Sequence, residues 1–144
     1  MPGTALLLDC KDSLHRVATL AQAVPARQTL ALTAAPLLGE WVFRQCPDAL
    51  LVGPDEESAQ WIQAAARAHG LEHAVCSKNR QGDHEVKITL PQVDVRGRAV
   101  VLLDDIASSG QTLAQAAQAL RAAGAQSVDV AVTHALLAGD ALQV

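Results

Sequence analysis

The sequence predicts an α/β fold with a parallel sheet flanked by helices, and three observations carry that prediction. Short solid apolar runs alternate with alanine-rich stretches of helical length, as βα units feeding a parallel sheet require. Glycines stand where those stretches should stop, shortly before the next apolar run begins. The chain has 144 residues, 50 % of them hydrophobic, enough for one ordinary core and short for two.

In chain order, Ala5 to Leu8 and Leu30 to Leu32 are the first apolar runs and read as strands. Ala34 to Cys46 has the length and alanine content of a helix, and Ala49 to Val52 is the next strand. Glu56 to His69 reads as a second helix, stopped by Gly70. Ser77 to His84 is polar, and Val86, Ile88 and Leu90 then alternate with Lys87 and Thr89, so this segment reads as a mobile loop opening into a short hairpin strand. Arg96-Gly97-Arg98 turns into the strongest strand, Ala99 to Leu103. Thr112 to Ala123 is a third helix, stopped by Gly124, and Val128 to Val132 is the last strand. No internal repeat, low-complexity run or linker divides the chain, so residues 1–144 are expected to form a single domain.

Composition removes several classes of function. Eleven basic against fifteen acidic residues leave a net charge of −4, which offers no electrostatic footprint for nucleic acid, and Trp41, Phe43 and Trp61 are too few for a base-stacking platform. Both tryptophans fall on expected helices, where core or oligomer contact is their ordinary use. No uncharged stretch reaches the roughly 18 residues that cross a bilayer, and no Lys or Arg precedes Ala5 to Leu8 as a signal peptide requires, so a cytoplasmic protein without a membrane partner is expected. Cys10, Cys46 and Cys76 are odd in number and widely spaced, which fits neither a paired disulfide framework nor a CxxC metal site and leaves buried free thiols.

The most informative stretch is Val100-Val101-Leu102-Leu103-Asp104-Asp105-Ile106-Ala107-Ser108-Ser109-Gly110-Gln111-Thr112. A buried strand is expected to end in two acids, followed by a loop of small residues and a helix beginning near Thr112. Small side chains let such a loop wrap tightly, so that the backbone N–H groups of Ser108, Ser109, Gly110, Gln111 and Thr112 converge on a phosphate at a helix N-terminus. Ser109 and Thr112 add hydroxyls. Carboxylates beside a phosphate weaken its binding unless they serve another part of the ligand, and ribose hydroxyls or hydrated Mg²⁺ account for Asp104 and Asp105. A bland alternative makes them an acidic pair offsetting the helix dipole, with Ser109 an ordinary cap. The P-loop pattern GxxxxGK[ST] is absent.

This block resembles the loop that binds phosphoribosyl diphosphate (PRPP) in the type I phosphoribosyltransferase fold. Its surroundings resemble the ribose-phosphate pyrophosphokinases, or PRPP synthetases: Gly53-Pro54-Asp55 after a strand, Lys78-Asn79-Arg80 on a loop, and Thr133-His134 after the strand that follows the loop helix. Glu56-Glu57-Ser58 and Gly82-Asp83-His84-Glu85-Val86 resemble the archaeal-type branch. The resemblance implies that Ser108 to Thr112 hold the 5-phosphate of ribose 5-phosphate, that Asp104 and Asp105 meet its hydroxyls, and that Lys78 and Arg80 are catalytic. Leu7-Leu8-Asp9 and Ser13-Leu14-His15-Arg16 resemble the segment ending the family's first half, by which His15 and Asp55 would hold a Mg²⁺ ion. Thr133 and His134 either approach the ligand or hold a structural hydrogen bond, and His69, His73 and His84 follow no ligand spacing.

The implied reaction moves the diphosphoryl group of ATP to ribose 5-phosphate, giving PRPP and AMP, in an enzyme expected to be a homo-oligomer. That enzyme has two copies of the fold, and nothing here resembles the copy with most nucleotide contacts. The chain therefore reads as a carboxyl-terminal, ribose-phosphate-binding portion with little activity alone. Two other readings remain at this stage: a non-catalytic ribose-phosphate or nucleotide-binding regulatory module, and a phosphoribosyltransferase that consumes PRPP. Against the last, Ser108 stands where purine-type enzymes usually carry an acid.

Overall fold

The computed structural model describes residues 6–10, 28–81 and 85–139, and falls into two units, 1–34 and 35–144. In the first, β1 (Leu6–Cys10) and β2 (Gln28–Leu32) pair in parallel, Leu6 opposite Gln28 and Cys10 opposite Leu32. The second runs in the order α1 (Ala35–Gln45), β3 (Leu50–Gly53), a 3-10 turn at Glu56–Ser58, α2 (Ala59–Arg67), β4 (His73–Val75), β5 (Ser77–Gln81), β6 (Glu85–Thr89), β7 (Ala99–Ala107), α3 (Gln111–Ala122) and β8 (Ser127–Ala135). Its main sheet has the order β4-β3-β7-β8, parallel throughout, while β5 and β6 form a separate antiparallel hairpin. No helix among the described residues is long and apolar enough to cross a membrane.

Burial on both faces explains the solid apolar runs. Leu51, Val101 and Leu103 face one layer with Val42 of α1 and Trp61, Ile62 and Ala65 of α2. The alternate residues Leu50, Val52, Val100 and Leu102 face the other, with Cys76, Val95 and Leu113, Ala116 and Leu120 of α3. Each fully buried leucine contributes roughly 1.5–3 kcal/mol relative to exposure, so these two layers carry the fold. The helices bury single stripes at helical spacing: Ala35, Gly39 and Val42 on α1, and Leu113, Ala116 and Leu120 on α3. Gly39 lets α1 and α2 touch, because a Cβ there would overlap the Ala65 carbonyl oxygen. Phe43 and His69 stack with ring centroids 4.5 Å apart, which gives His69 a packing role. The helix stops lie where glycine predicted them: Leu71 N–H donates to Ala66 O at 3.1 Å past Gly70, and Ala125 N–H to Leu120 O at 3.1 Å past Gly124.

Four expectations change in detail. The first two apolar runs are strands that pair with each other in a two-stranded sheet of their own. Glu56 to His69 is not one helix, since Asp55 accepts from Glu57 N–H at 3.1 Å and folds Glu56–Ser58 into a 3-10 turn before α2 begins. Ser77 to Gln81 is a strand: the alternating residues of β6 have a polar partner, Lys78 opposite Ile88 and Arg80 opposite Val86, with no apolar signal of its own. Finally, β7 does not end at its acids but continues to Ala107, because β8 supplies pairing up to Ala135. The tryptophans divide, Trp61 being buried and Trp41 54 % exposed, and the described thiols divide likewise, Cys76 being buried and Cys46 partly exposed.

Candidate functional site

Register determines what meets at the carboxyl edge of the sheet. Val52 pairs with Leu102 and Gly53 with Val75, so the residues just beyond these pairs, Asp55, Asp104 and Lys78, leave neighbouring parallel strands on one side. Asp104 lies opposite Val132 and Ile106 opposite His134, which brings the end of β8 to the same edge. Ligands of open α/β sheets bind outside the carboxyl ends of strands, and this is that position.

Lys78 is the side chain that joins the separate blocks. Its ammonium lies 3.8 Å from Asp55 Oδ2 and donates to Thr112 Oγ1 at 3.4 Å, so residues 55, 78 and 112 converge from the cap of the 3-10 turn after β3, from β5 and from α3. Both partners of the ion pair are partly solvated, the Asp55 and Lys78 side chains being 19 % and 25 % exposed, so the long contact is one that a bound anion can replace. Behind Lys78, the Cys76 thiol is pushed up to about 11 by burial and then by the negative charges of Asp55 and Glu56. It stays protonated as a core group, and the site has no nucleophilic thiolate there.

The loop from β7 to α3 consists of Ser108, Ser109 and Gly110. Gly110 precedes the helix in the left-handed region, φ 73°, which turns the chain sharply into α3. No side chain caps that end, and the first N–H groups of a helix have no partner within it, so Gln111 and Thr112 present backbone donors. Ser108 and Ser109 are exposed beside them, as is Gln111.

The two acids differ in setting. The Asp104 carboxyl is raised to about 7, first by desolvation and further by the Asp105 and Asp55 charges, while its Oδ1 accepts from Asp105 N–H at 3.0 Å. Asp105 is 9 % exposed and accepts from Ile106 N–H at 2.8 Å. They lie within the strand and before the loop. Asp104 and Asp55 repel each other electrostatically, and hard oxygen donors in that relation suit a divalent cation of the Mg²⁺ type, which needs only one or two protein carboxylates. No larger cage is present: among the described residues no three His, Cys, Asp or Glu side chains gather as metal ligands. His15 lies outside the described residues, as does the side chain of Arg80, whose backbone pairs opposite Val86. Thr133 Oγ1 is buried with no hydrogen-bond partner among the described residues, and His134 is exposed.

Sequence reasoning assigned Glu56 no role beyond marking a branch, yet both its carboxylate oxygens accept from Lys78 N–H, at 3.3 and 3.2 Å. The only signal for it was its position directly after Asp55.

Ribose-phosphate pyrophosphokinase 2 of Archaeoglobus fulgidus is 41 % identical over 110 residues, covering 76 % of this chain and 40 % of that protein. Ribose-phosphate pyrophosphokinase of Methanopyrus kandleri is 37 % identical over 131 residues, covering 89 % and 44 %. Among solved structures, phosphoribosylpyrophosphate synthetase from Mycobacterium smegmatis superposes with TM-score 0.75 at 26 % identity, covering 96 % of this chain and 43 % of that one. Purine phosphoribosyltransferase from Pyrococcus horikoshii shares the fold, with TM-score 0.59 at 18 % identity over 71 % of this chain and 77 % of that one. The chain thus spans about two-fifths of the length of the pyrophosphokinases it matches. Residues 34–142 match the family described as the phosphoribosyl transferase domain, from the approach to α1 through the acids and loop of the carboxyl edge, and the chain belongs to that family.

Proposed function

We propose that this chain carries the ribose-phosphate half of a ribose-phosphate pyrophosphokinase site, which moves the diphosphoryl group of ATP to the 1-hydroxyl of ribose 5-phosphate. The hydroxyl oxygen bonds to the β-phosphorus and loses its proton, the α,β-bridging P–O bond breaks, and AMP leaves. The observation that carries the reading is the convergence of Asp55, Lys78 and Thr112, with the Lys78 ammonium 3.8 Å from one and 3.4 Å from the other. In this reading the backbone donors of Ser108 to Thr112 and the Ser109 and Thr112 hydroxyls take the 5-phosphate. Asp104 and Asp105 accept from ribose hydroxyls. Lys78, with Arg80, supplies positive charge to phosphoryl oxygens, where it stabilises charge that grows in the transition state.

Mg²⁺ belongs to the same reading: Asp55 would hold it, and it would supply charge neutralisation for the diphosphoryl group. The protein is proposed to work as a homo-oligomer in the cytoplasm, with residues 1–144 as one incomplete copy of the two-domain enzyme. Calorimetry with ribose 5-phosphate and with ribose tests the phosphate cradle. Losing a hydrogen bond to a charged group costs roughly 1.5–3 kcal/mol, so Thr112→Ala should bind ribose 5-phosphate about tenfold or more weakly. Equal affinity of the wild-type chain for ribose and ribose 5-phosphate overturns the reading.

A further inference from the structure

We propose that Glu56 is a positioning residue of this site, whose carboxylate replaces a missing strand carbonyl and thereby sets where Lys78 points. The inference deepens the reading above, and its ligand-binding arm rests on that reading. Parallel ladders use every second N–H of a strand toward a given neighbour. Here Cys76 N–H donates to Gly53 O at 2.9 Å, so the next donor on that side is Lys78 N–H, and a continued β3 would meet it with the carbonyl of residue 55. That carbonyl is already engaged. Asp55 O accepts from Ser58 Oγ at 2.6 Å and from Ser58 N–H at 3.2 Å, because the chain has turned into the 3-10 turn. Glu56 projects from that same turn and accepts from Lys78 N–H with both oxygens.

The ladder is thus extended by one rung through a side chain. The β5–β6 hairpin leaves the sheet held at Cys76 by backbone and at Lys78 by Glu56, and the Lys78 ammonium consequently reaches Asp55 and Thr112. Without the Glu56 carboxylate the last bond from β3 to this segment is the one at Cys76, two residues before Lys78, and the Lys78 N–H loses its acceptor, while Ile88 opposite it still packs on the core. Glu56 itself touches no reacting group, so its effect passes entirely through Lys78.

The test uses the 144-residue chain and its Glu56→Ala, Glu56→Asp and Glu56→Gln variants. Three quantities are read: hydrogen exchange at the Lys78 amide, the acetylation rate of the Lys78 amine relative to Lys11, and ribose 5-phosphate affinity. Glu56→Ala should raise Lys78 amide exchange roughly tenfold, as loss of a charge-assisted bond implies, with a several-fold change in relative acetylation and β7 amides unaltered. Glu56→Gln, which keeps an acceptor oxygen, should recover most of the protection. Glu56→Asp, one methylene shorter at the same charge, should behave like Ala and serves if the Ala variant does not fold. Wild-type exchange and acetylation of Lys78 in both Ala and Asp variants overturns the proposal, as does a loss of protection spread equally over β7. If the wild-type chain fails to bind ribose 5-phosphate while Lys78 responds as described, the functional reading falls and the positioning role stands.

Discussion

Asp104 titrates in the folded chain near 7 against an ordinary 3.8, because desolvation and neighbouring acids disfavour its charge. Between those values the folded state holds a proton that the unfolded state has released, so this residue's contribution to stability falls as pH rises from about 4 to about 7. Asp104→Asn should therefore melt higher than wild type at pH 8, with the advantage vanishing near pH 4. For a chain of this size each 1 kcal/mol corresponds to about 2–4 °C in Tm. The same variant should bind ribose 5-phosphate more weakly, separating stability from binding at one position. Thermal melts of both proteins across this range decide it: a Tm difference independent of pH removes the burial argument. Asp104 was legible as a site residue from its place between an apolar run and a small-residue loop. Its protonation behaviour was not, since that depends first on burial in the folded sheet and last on Asp55, which is 49 positions earlier in the chain.

Helices α1 and α2 meet where Gly39 lies against the Ala65 backbone. That carbonyl belongs to a helix and has no flexible end to move aside, so Gly39→Ala must push the helices apart. Overpacking of this kind costs typically 1–3 kcal/mol. A lower urea midpoint with an unchanged slope would show it, and an unchanged midpoint would mean that the helix pair yields freely. The three helices and the glycine stops were readable from apolar spacing, because a helix's own period reports its buried face. The β5 strand was not, because Ser77 to Gln81 is polar and pairs with β6 by backbone, leaving no periodic mark. The 3-10 turn escaped for a related reason: Glu56–Ser58 continues the polar start of a helix in composition, and only the Asp55 side chain diverts it.

At the scale of the whole molecule, positioning decides activity. Phosphoryl transfer requires ATP held in line with the attacking hydroxyl, and the 144 residues span about two-fifths of the pyrophosphokinases' length. The chain expressed alone should release AMP from ATP, with Mg²⁺ and ribose 5-phosphate present, at close to background rate. Its Lys78→Ala variant should be indistinguishable from it in that assay while binding ribose 5-phosphate more weakly. Robust turnover by the 144-residue chain would mean that the ATP site lies within it.

Sequence by itself determined the fold class, the helices and most of the strands, and the carboxyl-edge loop, because each is written in neighbouring residues: apolar period, glycine stops, small residues after two acids. It also named Asp104 and Thr112 as parts of a site, and the family resemblance added Asp55 and Lys78. Only the tertiary structure decided that Lys78 bridges Asp55 and Thr112, that Asp104 shares its field with Asp55, and that Glu56 accepts from the Lys78 N–H of β5. Those contacts join residues 22 to 49 positions apart through strand register and a turn. Such distances in the chain become proximity only when parallel strands align, and no local pattern records which strands those will be.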